Sequence, residues 1–125
     1  MKVEVSIGEL VDKVSILSIK LRKMKSAEKL KNIQKEYDIL VKAMVAEGIE
    51  VTSAEFLKLE EINLKLWDIE DQIRLKEVSK SFDDAFIELA RSVYFINDDR
   101  AAVKKEINVK FGSDLVEEKE YVEYK

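Results

Sequence analysis

The sequence predicts an all-α fold: four long amphipathic helices in a bundle, with a short N-terminal extended arm and an acidic C-terminal tail. Three observations carry this reading. Proline is absent and glycine occurs only at Gly8, Gly48 and Gly112, so few turns can form and the elements must be long. Apolar residues recur at alternating intervals of three and four along four stretches, the period of a helix buried on one face. Apolar residues make up 46% of the chain and charged residues 38%, the latter well above the usual quarter and typical of surface-charged helices. At 125 residues the chain is one helical domain, residues 1–125, large enough to bury a core without cross-links.

The first helix begins at Ser6, where Ser6-Ile7-Gly8-Glu9 has the form of a capping box. Its seam is Ile7, Leu10, Val14, Leu17, Leu21 and Met24, with Val11, Ile16 and Ile19 off that line; Val3 and Val5 form the extended arm before it. A turn at residues 25–27 follows, with Ser26 as N-cap of the second helix, whose seam is Leu30, Ile33, Tyr37, Leu40 and Met44. Gly48 ends it, a residue free to adopt the left-handed conformation. Thr52-Ser53-Ala54-Glu55 supplies the next capping box, ahead of a third helix with Leu59, Ile62, Leu66, Ile69 and Ile73 in line. A break at Ser79–Ser81, with Ser81 as cap, leads to a fourth helix that runs to Phe111 and stops at Gly112, some 45 Å long at about 1.5 Å per residue. The first, third and fourth helices carry apolar residues on more than one face, which predicts a helix-mediated homo-oligomer, a dimer first; the arm and tail covering that surplus is the alternative.

Composition excludes much chemistry. Cysteine and histidine are both absent, which removes disulfides, thiolate catalysis, Cys/His zinc sites and every histidine general base. No cofactor is predicted, and the one metal the remaining oxygen donors suit is a hard cation such as magnesium. A net charge of −4 argues against general nucleic-acid binding. The start, Met1-Lys2-Val3-Glu4-Val5, lacks the apolar region of a signal peptide, and no run of about 18 apolar residues spans a membrane; the expected location is cytoplasmic.

One local contradiction marks a candidate site. The fourth seam reads Phe86, Leu89, Val93, Ile96, then Arg100, then Val103 and Ile107. A guanidinium on a core line is costly to desolvate and needs a partner or an opening to water. Asn97, Lys104 and Asn108 share its face. Either Arg100 pairs with a carboxylate on a neighbouring helix, Glu70 being the suitable one, and sets the register of the bundle, or Asn97, Arg100 and Lys104 line a cleft for an anion such as a sugar nucleotide, phosphate or carboxylate. The pairs Glu9/Asp12 and Asp68/Asp71 have the spacing with which helical bundles hold divalent metals, although the heptad reading turns all four away from the seam. The basic run from Lys20 to Lys35 reads as a solvated face, since no aromatic residue interleaves it.

Three of these segments also carry a resemblance: Ile7-Gly8-Glu9-Leu10-Val11-Asp12-Lys13; Leu66-Trp67-Asp68-Ile69-Glu70-Asp71-Gln72-Ile73-Arg74; and Val93-Tyr94-Phe95-Ile96 through Asn97-Asp98-Asp99-Arg100-Ala101 to Lys105-Glu106-Ile107-Asn108. With Gly112-Ser113 and Glu117-Glu118-Lys119, the chain resembles a family of short bacterial and phage proteins classed as a domain of unknown function, sometimes encoded near genes for surface-sugar assembly. The resemblance implies a compact helical protein and a sugar or nucleotide-sugar context, and brings no catalytic residues with it. The expected function is therefore a non-catalytic oligomeric assembly or adaptor protein, with binding or turnover of an anionic small molecule as the alternative.

Overall fold

The computed structural model describes all 125 residues as four α-helices and no strand: α1 (Ile7–Lys23), α2 (Ala27–Ala46), α3 (Ala54–Val78) and α4 (Asp84–Lys110). Local capping chemistry sets most of the boundaries. Ser6 Oγ accepts the Glu9 amide at 3.1 Å and Ser26 Oγ accepts the Lys29 amide at 3.4 Å, so both cap where the sequence places them. α2 ends at Glu47, and Gly48 turns the chain at φ 88°, a conformation costly for a residue with a Cβ. Two caps differ from expectation. The N-cap of α3 is Ser53 rather than Thr52, and its hydroxyl accepts the Glu50 amide in the preceding turn instead of capping the helix. α4 is capped by Asp83 rather than Ser81; a carboxylate there accepts the Phe86 amide at 3.0 Å and also suits the positive end of the helix dipole.

α1 is the centre of the fold and packs on each of the other three helices, whereas α2 has α1 as its only helical partner. α3 and α4 form an antiparallel hairpin, bridged by Glu55–Lys110, Lys58–Glu106 and Lys76–Asp83. α1 runs antiparallel to α4, with Gly8 beside Asn108 and Asp12 beside Arg100. The core joins Val11 and Val14 of α1, Met44 of α2, Ile49 of the loop, Phe56 and Leu59 of α3, and Val103 and Ile107 of α4.

The two apolar faces of α1 are thus both satisfied within one chain: Val11, Val14, Leu17 and Ile19 are buried, and between Gly8 and Ile19 only Lys13 is exposed. Elsewhere the surplus remains. No residue between Leu66 and Val103 is buried, and the end of the α3–α4 hairpin extends beyond α1, whose last side-chain contact with α3 is Lys23 with Asp68 at 3.9 Å. The tail runs back along α4 to meet Asp98. No helix is long and apolar enough to cross a membrane.

Candidate functional site

A second heptad line on α1, Gly8-Asp12-Ser15-Ile19, faces α3 and α4 and supplies half of a polar seam inside the bundle. Asp12 sits at its centre with 1% of its surface exposed. Its carboxylate accepts a bidentate pair from Arg100, Nε to Oδ1 at 2.9 Å and Nη2 to Oδ2 at 2.5 Å. Such a fork is the geometry in which a buried carboxylate and guanidinium best offset each other's desolvation. Asn63 of α3 donates both amide hydrogens, to Asp12 Oδ1 at 2.9 Å and to Ser15 Oγ at 2.8 Å, while Ser15 donates to the Asp12 carbonyl at 2.7 Å. The third guanidinium nitrogen reaches Asn97 Oδ1 at 3.4 Å. Each guanidinium nitrogen of Arg100 thereby has one protein acceptor, and no buried side-chain polar atom in the molecule lacks a partner.

One turn further along α4, the nearly buried Lys104 ammonium lies 2.7 Å from Glu9, 4.0 Å from Asp12 and 3.4 Å from Glu117 of the tail. Burial alone would lower its pKa, but the Glu9 hydrogen bond and the charges of Asp12, Glu9 and Glu117 outweigh this and hold it above the ordinary lysine value. Arg100 is held high chiefly by its hydrogen bonds to Asp12. Glu117 lies below the usual carboxylate range: desolvation opposes ionisation, and Lys104 and Lys119 overcome it. A turn beyond, Asn108 Oδ1 accepts the Gly8 amide at 2.6 Å. Gly8 is required there, because a Cβ would stand 2.5 Å from the Lys104 carbonyl oxygen.

Of the residues singled out in the sequence, Asn97, Arg100, Lys104 and Asn108 do share one face, and α1 brings Glu9 and Asp12 to them. The carboxylate opposite Arg100 is Asp12, not Glu70. Glu70 lies on the exposed side of α3, 3.9 Å from Arg74. Asp12 is not turned outward, contrary to the heptad reading of α1, because α1 packs on three helices and the line that carries Asp12 faces α3 and α4. Asp68 is on the surface with Lys23, and Asp71 is exposed beside it. No three Asp or Glu side chains converge as a metal cluster, and at the Glu9/Asp12 pair the position facing the carboxylates is taken by Lys104 and Arg100. Asn63, Ser15 and Gly8 were not identified from the sequence. The signal for them is the four–three–four spacing Gly8-Asp12-Ser15-Ile19 and the matching line Phe56-Leu59-Asn63-Leu66.

The tail closes the outer side of the seam at two points. Glu117 and Glu118 meet Lys104 and Lys105. Tyr124 packs on Tyr94 and Phe95 with ring centroids 5.0 and 5.2 Å away and hydrogen-bonds Asp98. Between these anchors lies a cavity of about 460 Å³ lined by Val93, Tyr94, Asn97, Tyr121 and Tyr124. Desolvation and the adjacent Asp98 carboxylate push the Tyr124 hydroxyl up to about 12 from 10.0. With the folded value above the unfolded one, this contribution is complete below pH ~10 and is lost as pH rises through ~12. Of the four tyrosines, one is therefore expected to titrate late in tyrosinate absorbance, and Tyr124→Phe should remove that late step. An unchanged titration in the variant would show that Tyr124 is not anchored on Asp98.

A model of the Family of unknown function (DUF6165) matches residues 1–124, and the chain belongs to that family. No curated protein and no solved structure matches it.

Proposed function

We propose that this member of the DUF6165 family is a non-catalytic assembly or adaptor protein that pairs with a second copy of itself through the free end of the α3–α4 hairpin, Ile69–Tyr94. The observation that carries the reading is an apolar surface with nothing over it. Leu75 is 68% and Val78 81% exposed, Phe82 and Ile87 are exposed with them, and nothing in this hairpin end is buried. Two helices alone cannot cover their own apolar faces, whereas two such hairpins back to back make a four-helix bundle.

A second copy fits better than a charged partner because the four cations of the span are already paired within the chain, Arg74 with Glu70, Lys76 with Asp83, Lys80 with Glu77 and Arg91 with Glu88, which leaves the apolar side chains as the surface on offer. Light scattering at micromolar concentration is expected to give a dimer. Leu75→Glu/Val78→Glu, which removes two apolar side chains worth ~1.5–3 kcal/mol each when buried, should weaken the dimer by at least ~100-fold while leaving the helical circular dichroism intact. A wild-type chain that stays monomeric as concentration rises would overturn the proposal. The alternative remains an anionic small molecule at Asn97, Arg100 and Lys104, where the Asp12 and Asn97 bonds of Arg100 leave Lys104 as the cation nearer the tail.

A further inference from the structure

Four cations meet along one edge of α4 and the tail. Arg100 pairs with Asp12 and Lys104 with Glu9, and both of these carboxylates belong to α1. Lys105 and Lys119 have no α1 carboxylate; their partners are Glu118 at 3.1 Å and Glu117 at 3.3 Å, and Glu117 also lies 3.4 Å from Lys104. With the side chains of Glu117 and Glu118 set aside, Glu9 and Asp12 leave two positive charges of this group unmatched. The tail supplies two negative ones, from consecutive residues, onto consecutive lysines.

Around them is a cavity of about 180 Å³, lined by Lys104, Lys105, Asn108, Glu117, Glu118 and Lys119, and floored by the small residues Ala101 and Ala102. The two groups differ sharply in how firmly they are held. Asp12 is locked in the interior and Glu9 sits half-buried on the first turn of α1, whereas Glu117 and Glu118 lie in a segment with no helix or strand, Glu117 partly and Glu118 largely open to water. The pairs of Glu118 with Lys105 and Glu117 with Lys119 are of the exposed kind that contributes little, and a competing anion meets small resistance there. Only two side chains need to swing out, and the Tyr124 anchor can stay in place.

We infer that Lys104, Lys105 and Lys119 form a binding site for a small anion carrying two acidic groups, in which Glu117 and Glu118 are the built-in occupants that such a ligand displaces. Lysines supply point charges without demanding one planar shape, so two phosphoryl groups and two carboxylates share the chemistry the site recognises. The site stands apart from the Ile69–Tyr94 surface and does not depend on dimerisation.

Isothermal titration calorimetry on the full chain at constant ionic strength tests it, with inorganic pyrophosphate and succinate as separate probes. Glu117→Gln/Glu118→Gln should bind at least one of the two about tenfold more tightly than the wild type does. Lys105→Met, an exposed position whose loss leaves the core intact, should reduce that binding about tenfold in the same background. A response to pyrophosphate alone makes the ligand phosphoryl, and a response to succinate alone makes it a dicarboxylate. Absence of binding in the glutamine variant at millimolar probe, affinity no better than wild type, or binding indifferent to Lys105→Met each overturns the inference. The Leu75→Glu/Val78→Glu chain should bind as the parent does, so failure of the dimer leaves this result readable.

Discussion

Arg100→Met is expected to destabilise the fold by about 3–5 kcal/mol, the usual cost of leaving one member of a buried ion pair without its partner. Asp12 has 1% of its surface exposed and would keep only Asn63 as a hydrogen-bond donor, with Lys104 at 4.0 Å. On a domain of this size the loss corresponds to a melting temperature lower by roughly 10–20 °C. The informative companion is Asp12→Leu/Arg100→Met. If the pair acts mainly by fixing how α1 lies between α3 and α4, replacing both ends with apolar side chains should restore most of the loss, because two desolvation penalties vanish together. Urea unfolding of both variants checks this. An Arg100→Met chain within ~1 kcal/mol of wild type would mean that the fork seen between Arg100 and Asp12 does not hold the helices together.

Gly8→Ala is the second large effect, and its sign decides the matter. Helix propensity alone predicts that alanine stabilises a helical position by up to ~1 kcal/mol. Here the added Cβ would meet the Lys104 carbonyl oxygen at 2.5 Å and the Asn108 side-chain oxygen at 3.0 Å. The first of these is backbone inside α4 and cannot rotate away, so α1 must shift from α4, lengthening the Gly8–Asn108 hydrogen bond and loosening Lys104 on Glu9. Overpacking of this kind costs about 1–3 kcal/mol, and a net loss is expected in thermal unfolding. A stabilised variant would show that the close approach of α1 and α4 is not required.

How much of this could be read beforehand depended on whether the signal was local. Ser6, Ser26, Gly48 and Gly112 mark helix ends by chemistry contained within a few residues, and the structure uses them there. Thr52 and Ser81 do not hold the N-cap positions because Ser53 is engaged with the Glu50 amide at the start of α3 and the Asp83 carboxylate accepts the Phe86 amide at the start of α4. Arg100 stood out because a cation broke an otherwise apolar line. Its partner could not be found in the same way. Glu70 sits beside an apolar seam of α3 and so reads as the partner, whereas Asp12 reads as solvent-facing when only one face of α1 is counted as inward. A helix packed on three others buries most of its circumference. That Val11 and Ile19 are apolar off the main seam was the available warning, and it was assigned to a partner chain instead of to α3 and α4.

Because the backbone of α2 lies against α1 alone and only its Met44 end enters the common core, the molecule is not uniformly cohesive. Its inner unit is the trio α1, α3 and α4, clamped by the Asp12 network, and α2 is a leaf laid against the outside, gripped by Ile33 and, near its end, Met44. Such a leaf can lift while the trio persists, a partial opening whose free energy lies below that of global unfolding. The most exposed events in the life of this fold are then excursions that bare the apolar flank of α1 and leave the ion pairs dry.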